Sequence, residues 1–338
     1  MTRSVFLGVG RYLPERLVTN QDLSQVMDTT DQWIVERTGI RQRYWVPGEM
    51  GGSELAEKAA REAMQRAGVE PAEIDCIILA TLSPEHTFPG TACFLQERLG
   101  LPGIPAMDVR NQCSGFIYGL SVADAWIRTG QYRRVLLVGT EVHSTGIDIT
   151  TRGRDVAVLF GDGAGVVVLG AEEGQATGAN GARGVLSTHL HADGRFAKAL
   201  WIEAPGSRFY PLRISHQMLD EGRHFPQMKG RQVFQAAAQR MPEVIHEALK
   251  ANDLRLDDIA LLVPHQANQR ISEVVAKQLS LPMERVVCNI ERYGNTTAAS
   301  IPLALYDAEQ DGRLKRGDLI VLCSFGAGFT WASAVVRW

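Results

Sequence analysis

The sequence lacks a large excess of charge of either sign and any long hydrophobic run. Its 338 residues carry a formal net charge of −3, with 22% charged and 45% hydrophobic residues. This balance predicts a soluble globular protein. No Lys/Arg run argues for nucleic-acid binding, although a local basic patch would suit an acidic partner. No segment is apolar enough over a sufficient length to span a membrane, and the first ten residues read as a strand rather than a signal peptide. We therefore expect no nucleic-acid or membrane partner.

Cysteine is scarce and badly spaced for cross-links or metal binding. The chain has five cysteines, an odd number, and no CxxC motif, which argues against a disulfide framework and a zinc site. His189 and His191 would share one face of a strand, but no third or fourth ligand lies near them in sequence. We expect a cytoplasmic protein without a metal, and the sequence supports no nicotinamide or flavin site.

What the sequence does contain is a regular alternation of short apolar runs and helical periodicity. Such alternation is typical of an α/β protein, and the length suits two domains. Buried strands are predicted over residues 75–81, 134–139, 164–169, 259–263, 285–289 and 318–323. Helices are predicted over residues 53–67, 115–128, 233–251 and 271–279. The Gly161–Gly165 run leads into a strand rather than a helix, so it fails as a dinucleotide loop.

The two halves of the chain repeat each other weakly but in order. Three pairs of segments match at a nearly constant separation: 67–80 with 252–265, 99–102 with 279–282, and 130–138 with 312–320. This pattern indicates a duplicated α/β unit of about half the chain. We place the boundary in the Gly- and Ala-rich stretch at 172–184, which gives halves 1–172 and 173–338. Residues 193–230 break the pattern, and we interpret them as a binding loop or lid, or equally as a surface excursion.

Cys113 has the most informative position of any residue in the chain. It stands between a short strand-like segment that ends at Val109 and the apolar helix predicted from Gly115. The unpaired N–H groups at a helix N-terminus favour thiolate over thiol, so a cysteine there tends to be nucleophilic. The sequence therefore predicts an enzyme that carries its substrate as a thioester.

Two further polar residues are candidates for the same site. His265 follows a predicted buried strand and a proline, where side chains project into a crevice, although a lone histidine is usually just hydrogen-bonded in the interior. Asn295, alone, reads best as a turn or cap residue. In the duplication, however, its turn falls close to the position of Cys113, so the two turns would meet. The Gly326–Gly328 loop suits an oxyanion hole or, equally, a tight strand connection.

With Cys113, His265 and Asn295 in this order, the chain resembles the β-ketoacyl-[acyl-carrier-protein] synthase III family of thiolase-like condensing enzymes. The resemblance covers essentially the whole chain. It rests on the following segments: Thr29–Ile40, Cys113–Phe116, Phe160–Gly165, Val263–Asn268, Gly294–Ser300 and Gly328–Trp331. It implies a thiolase-like fold of two similar α/β halves in five layers, α-β-α-β-α, which would account for the internal repeat.

The resemblance implies a chemistry as well. Cys113 would take the acyl group from an acyl-CoA, and a malonyl thioester on acyl carrier protein would then lose CO₂. His265 and Asn295 would donate hydrogen bonds to the enolate oxygen. The backbone N–H groups of Cys113 and of the loop at Ala327 and Gly328 would hold the second oxyanion. Since release of CO₂ drives the reaction, no metal or redox cofactor is expected.

Several binding residues are implied only by the resemblance. An aromatic ring and a guanidinium are suited to stacking on the adenine of CoA. The implied residues are Trp33 and Arg152 at the adenine, Arg37 near the phosphates, Arg270 and Lys277 for acyl carrier protein, Phe325 in the acyl pocket, and Phe88 reaching into the partner subunit of a homodimer.

The chain departs from the family pattern in ways that bear on its substrate. Gln112 stands where a small residue is expected before the nucleophile, Ala327 interrupts a glycine run, and the 193–230 segment is longer than in housekeeping members. We therefore expect the acyl primer to be other than simply acetyl. The alternatives are a related condensing enzyme or acyltransferase of secondary metabolism, a non-catalytic acyl-binding protein, and a biosynthetic thiolase that uses Cys323 as its second cysteine.

Overall fold

The computed structural model of the chain describes residues 2–173 and 183–338. The strands are β1 (Thr2–Tyr12), β2 (Arg16–Thr19), β3 (Gln42–Trp45), β4 (Cys76–Ala80), β5 (Ala106–Val109), β6 (Arg134–Glu141), β7 (Gly163–Glu173), β8 (Gly184–Ala192), β9 (Leu200–Trp201), β10 (Gln227–Met228), β11 (Leu261–Pro264), β12 (Leu319–Gly326) and β13 (Thr330–Arg337). The α-helices are α1 (Asn20–Leu23), α2 (Asp31–Thr38), α3 (Gly52–Ala67), α4 (Thr91–Leu99), α5 (Gly115–Arg128), α6 (Arg154–Ala157), α7 (His216–Asp220), α8 (Gly230–Ala251), α9 (Gln269–Gln278), α10 (Ile290–Tyr293) and α11 (Ser300–Gln310).

Two large sheets with the same strand order form the frame of the molecule. The first has the order β1-β7-β6-β4-β5 and the second the order β8-β13-β12-β11. In both sheets the first three strands run antiparallel to one another, and the next strand, β4 or β11, is parallel to its neighbour. The place of a fifth strand in the second sheet is taken by a single parallel bridge between Leu262 and Val286. The strand predicted over 285–289 is therefore wrong, while the other predicted strands and the four predicted helices are present.

The two sheets and their helices form five layers. Helices α5 and α11 lie between the sheets, where one apolar cluster joins their buried faces to strands of both sheets. Helices α3 and α4 cover the outer face of the first sheet, and α8 and α9 cover the outer face of the second. The predicted thiolase-like arrangement is confirmed. Among the described residues, no helix combines the length and apolarity needed to cross a membrane.

The duplication is visible in detail at two short turns. A 3₁₀ turn at Gln112–Ser114 leads into α5, and a second at Thr297–Ala299 leads into α11. The first residues, Gln112 and Thr297, have φ of 45° and 46°, which is strained for a residue with a side chain. Cys113 and Ala298, the next residues, therefore occupy matching places. The two turns pack on each other.

The stretch in which we placed the boundary between the halves is only partly described. Strand β7 continues to Glu173 and β8 begins at Gly184, and residues 174–182 lie outside the described residues. The division at 172 and 173 stays a prediction. All strands of the first large sheet nevertheless precede residues 174–182 in the chain, and all strands of the second follow them.

Candidate active site

Cys113, His265 and Asn295 lie around one cavity of about 760 Å³. Cys113 follows strand β5 and His265 follows strand β11, whereas Asn295 lies in a turn. The two sheets bring these segments to the same edge. All three are almost fully buried, with 6%, 3% and 6% of their surface exposed. The structure thus brings together the three residues that the sequence singled out.

The Cys113 thiol is not held as a thiolate in this structure. Burial, together with the nearby Glu141 carboxylate, raises the pKa of Cys113 to about 12, and hydrogen bonds from the backbone N–H groups of Ala327 and Cys113 itself oppose this rise. Desolvation is the largest of these influences, so the proton must be removed during the reaction. The expectation that the helix N-terminus favours the thiolate stays a prediction.

The loop after β12 lies directly against the sulfur. A Cβ atom built on Gly326 would lie 2.6 Å from Cβ and 2.9 Å from Sγ of Cys113, so only glycine fits there. The backbone N–H of the next residue, Ala327, points at the sulfur. Gly328 has a φ of 135°, a conformation that favours glycine. The loop therefore places a backbone donor beside the nucleophile.

The ring of His265 is held through Nδ1. This atom lies 2.6 Å from Oγ of Ser300, which also lies 2.8 Å from the carbonyl oxygen of Thr297. The Ser300 hydroxyl accepts from Nδ1–H in one tautomer of the ring and donates to Nδ1 in the other. Nε2 has no hydrogen-bond partner among the described residues. Burial lowers the pKa of His265 to about 3, so the ring is neutral, and the donor role implied by the resemblance stays a prediction.

Asn295 has its amide orientation fixed by the backbone. Its Oδ1 accepts a hydrogen bond from the N–H of Thr297 at 2.9 Å, so the amino group Nδ2 is the end left for the cavity. The turn is held by Gly161, whose N–H donates to the Asn295 carbonyl oxygen. A Cβ on Gly161 would meet the carbonyl oxygen of Tyr293 at 2.2 Å. The Gly161–Gly165 run therefore supports the Asn295 turn.

Trp33 and Arg37 line the cavity, and two guanidinium groups lie against the Trp33 ring. Arg37 lies 4.3 Å and Arg154 lies 5.1 Å from the centre of this ring. Arg152 pairs with Asp148 at 2.6 Å, and neither Arg152 nor Arg154 lines the cavity. The placement of Arg152 at the adenine stays a prediction, and Arg154 is a further cation beside Trp33 that the sequence analysis missed.

The two basic residues expected to receive acyl carrier protein are separated along one helix. Arg270 lies in the first turn of α9 and lines the cavity, whereas Lys277 is in the last turn of the same helix and does not line the cavity. Both are exposed. A further exposed cation, Arg231, also lines the cavity.

Of the two residues expected at the acyl pocket, one lines the cavity and the other lies on the surface. Phe325 is buried, lines the cavity and packs on Phe329, with ring centres 4.8 Å apart. Phe88 is 79% exposed on the loop before α4 and is not part of the cavity wall.

The irregular segment at 193–230 contributes directly to the cavity wall. Six of its residues up to Met228 line the cavity: Ala197, Leu200, Trp201, Ile202, Pro226 and Met228. Strands β9 and β10, which pair antiparallel within it, hold this wall in place. The binding-loop interpretation fits this position better than the surface excursion.

Several polar residues of the site escaped the sequence analysis. Glu141, at the end of β6, is buried, and burial raises its pKa to about 7 although Ser83 and backbone groups donate to it. His143 follows the same strand and lines the cavity. The signal was available, because His143 follows a buried strand as His265 does. Among the described residues, no group of three His, Cys, Asp or Glu side chains is arranged to hold a metal ion.

Comparison with known proteins places this geometry in a family. The model of the C-terminal part of 3-oxoacyl-[acyl-carrier-protein] synthase III matches residues 249–338, and the model of 3-oxoacyl-[acyl-carrier-protein] synthase III matches residues 107–194. The first match contains His265 and Asn295, and the second contains Cys113.

Full-length relatives agree with the family models. The chain is 48% identical to a β-ketoacyl-[acyl-carrier-protein] synthase III of Rhodospirillum centenum, over 99% of both chains, and 47% identical to that of Thioalkalivibrio sulfidiphilus, over 100% of both. The crystal structure of 3-oxoacyl-[acyl-carrier-protein] synthase III from Aquifex aeolicus is 39% identical, with a TM-score of 0.89, and the match covers 99% of this chain and 100% of that one. This chain belongs to the β-ketoacyl-[acyl-carrier-protein] synthase III family of condensing acyltransferases.

Proposed function

We propose that the protein condenses an acyl-CoA primer with malonyl-[acyl-carrier-protein] through a thioester on Cys113, the step that initiates fatty acid synthesis. One observation carries the proposal. The thiol of Cys113, the Nε2 atom of His265 and the Nδ2 amino group of Asn295 open onto a single cavity, and neither nitrogen has a hydrogen-bond partner among the residues that the structure describes. A nucleophile and two neutral hydrogen-bonding groups are thereby available to one substrate.

In the first half-reaction the cysteine takes the acyl group from CoA. The thiol of Cys113 loses its proton as the sulfur attacks the thioester carbonyl. The N–H groups of Cys113 and of the loop at Ala327 and Gly328 stabilise the tetrahedral oxyanion. CoA leaves as a thiolate and takes up a proton in place of the one that the Cys113 thiol lost, so the site returns to neutrality with the acyl group on Cys113.

In the second half-reaction a malonyl thioester supplies the carbon nucleophile. Loss of CO₂ leaves the bonding electron pair on the thioester enolate, whose oxygen accepts a hydrogen bond from Nδ2 of Asn295. In the tautomer of His265 in which Ser300 donates to Nδ1, Nε2 joins it as a second donor. The carbanion attacks the acyl thioester, and Cys113 leaves as a thiolate that takes a proton from solvent.

The lining of the cavity supports a primer larger than acetyl. Part of its wall is built from four apolar residues of the irregular segment, Leu200, Trp201, Ile202 and Met228. We propose that this wall accepts a longer or branched acyl chain. Incubation with acyl-CoAs of increasing length, followed by mass measurement of the Cys113 adduct, tests this, and exclusive loading of acetyl would contradict it.

The partners implied by this function are an acyl carrier protein and a second copy of the chain. Exposed Arg270 and Arg231 at the cavity and Lys277 farther along α9 provide positive charge for an acidic carrier. The exposed Phe88 ring is suited to burial in a homodimer. Sedimentation of wild-type protein and of Phe88→Ser would test the homodimer, and a wild-type monomer would contradict it. We retain a cytoplasmic location as a prediction.

The reaction itself is tested most sharply at Asn295. Asn295→Asp keeps an oxygen for the Thr297 N–H but replaces the donor with an anionic oxygen beside the enolate. We expect release of CO₂ from malonyl-[acyl-carrier-protein] to fall by about 10²–10³-fold, while acylation of Cys113 continues. The Cys113→Ala protein is the control for acylation. Unchanged condensation by Asn295→Asp would contradict the proposed mechanism.

A further inference from the structure

His143 is a buried histidine that the mechanism above does not use. Its ring packs on Phe160, with the ring centres 4.6 Å apart, and its Nε2 shares a hydrogen bond with Oγ1 of Thr297 at 2.8 Å. Its backbone N–H donates to Asp162 at 2.6 Å. Burial lowers the pKa of His143 to about 3, so the ring stays neutral. A neutral, fixed imidazole thus holds one hydroxyl.

Thr297, the residue so held, connects to both polar residues of the site. Its N–H donates to Oδ1 of Asn295, which turns the amino group toward the cavity. Its carbonyl oxygen lies 2.8 Å from Oγ of Ser300, which contacts Nδ1 of His265 at 2.6 Å. The two peptide groups of one residue therefore fix the amide orientation of Asn295 and, through Ser300, hold the ring of His265.

The conformation of Thr297 needs support from its side chain. Its φ of 46° lies in the left-handed region, which residues with a Cβ rarely adopt. Such a conformation persists only where the surroundings over-determine it. The described structure gives Oγ1 of Thr297 one hydrogen-bond partner, His143 Nε2.

We propose that His143 is a positioning residue for the condensation step and that it acts through the Thr297 hydroxyl. The hydrogen bond keeps the Thr297 peptide groups in the orientation that aligns Asn295 and His265. The inference rests on the proposed function, in which these two residues serve the enolate. Because the sulfur and its backbone donors are held by a different turn, the acylation of Cys113 does not depend on this bond.

Two substitutions of His143 separate hydrogen bonding from packing. His143→Phe keeps a ring against Phe160 and removes Nε2, whereas His143→Gln keeps a polar group for Thr297 and removes the ring. We expect the condensation rate of His143→Phe to fall by about 10–10²-fold, since small displacements of reacting groups have effects of this size. The rate of Cys113 acylation should stay within about twofold of wild type, and His143→Gln should recover part of the condensation rate.

A double-mutant cycle tests whether the effect passes through Thr297. Thr297→Val removes the hydroxyl at nearly constant shape. If His143 acts through that hydroxyl, His143→Phe combined with Thr297→Val will be no slower than the slower single variant, because coupled residues are not additive. Three results would each overturn the proposal. They are additive losses of condensation rate in the double variant, an equal fall of acylation and condensation, and a wild-type condensation rate in His143→Phe, whose ring has no Nε2.

A spectroscopic measurement separates this inference from the proposed function. In ¹⁵N-histidine spectra, wild-type His265 should show one set of ring-nitrogen resonances of a neutral imidazole, and His143→Phe should shift or broaden them. Unchanged His265 resonances in His143→Phe would overturn the inference even if the enzyme condenses as proposed. If the wild type does not condense malonyl-[acyl-carrier-protein] but the His265 resonances shift in His143→Phe, the function fails and the positioning role stands.

Discussion

A Cβ atom at residue 326 would lie 2.6 Å from Cβ and 2.9 Å from Sγ of Cys113. The backbone N–H of the nucleophile would be 3.2 Å away. To relieve these contacts, the backbone of Cys113 would have to move as well as its side chain. The contact explains why the loop after β12 approaches the sulfur closely enough for its N–H to act on it.

Gly326→Ala is expected to abolish most of the acylation of Cys113. A displacement of the sulfur by about 1 Å costs on the order of 10²-fold in rate, and the mass of the acyl-enzyme as a function of time measures it. Gly48→Ala is the matched control, because a Cβ there meets nothing within 4 Å. An acylation rate equal to that of the control would contradict this prediction, because the loop would then have moved away from the sulfur.

Alkylation of Cys113 by iodoacetamide should depend on pH far into the alkaline range. Burial and Glu141 raise the pKa of this thiol from 9.0 to about 12, so at pH 8 the thiolate fraction is about 10³-fold below that of an unperturbed thiol. The rate should rise about tenfold per pH unit between pH 7 and 10 without levelling off. Peptide mass spectrometry of Cys113 measures it, with protein unfolded in urea as the control. A plateau of the alkylation rate near pH 9 in the folded protein would contradict a pKa of Cys113 raised by burial.

Arg154→Ala should raise the KM for acyl-CoA, since Arg154 lies over the Trp33 ring, which the family resemblance places at the adenine of CoA. Cation–π contacts of about 0.5–2 kcal/mol predict an increase of about 2- to 30-fold. The control substrate is the acyl-pantetheine thioester, which has no adenine and should keep its KM. A larger effect of Arg152→Ala than of Arg154→Ala would favour the family resemblance over the contact geometry.

Trp338→Ala should lower the free energy of unfolding by about 3–5 kcal/mol, the usual cost of truncating a buried aromatic side chain. The ring is 2% exposed and packs on Phe6, with ring centres 5.3 Å apart. Urea unfolding followed by fluorescence or circular dichroism measures the change. Tyr210→Ala, at a residue 97% exposed, should change the free energy by no more than about 0.5 kcal/mol. Similar losses for both variants would contradict the assignment of Trp338 to the core.

Local patterns predicted the elements that carry the site. Helix α5 begins at Gly115 and ends at Arg128 as its periodicity indicated, because an amphipathic face and a strand before it are local signals. The strand predicted over residues 285–289 is absent for a nonlocal reason. Val286 makes a single bridge to Leu262 at the edge of the sheet, and apolar composition does not reveal how many backbone partners a segment finds.

The electrostatics and the supporting contacts of the site were less accessible to sequence reasoning. The position of Cys113 before a helix argued for a thiolate, but burial decided its pKa, and burial depends on the whole fold. The bond between His143 and Thr297 joins residues 154 positions apart. Arg154 and Arg152 are two residues apart, and only the three-dimensional path of the chain shows which one meets Trp33.

The two related turns at Gln112–Ser114 and Thr297–Ala299 are no longer interchangeable. One exposes a thiol, and the other has Ala298 at the matching place and supplies hydrogen bonds instead. Division of labour between duplicated copies means that neither copy alone holds both the group that is acylated and the groups that serve the carbon nucleophile. Loss of either turn therefore removes a part of the site that the other cannot replace, although the two share one backbone form.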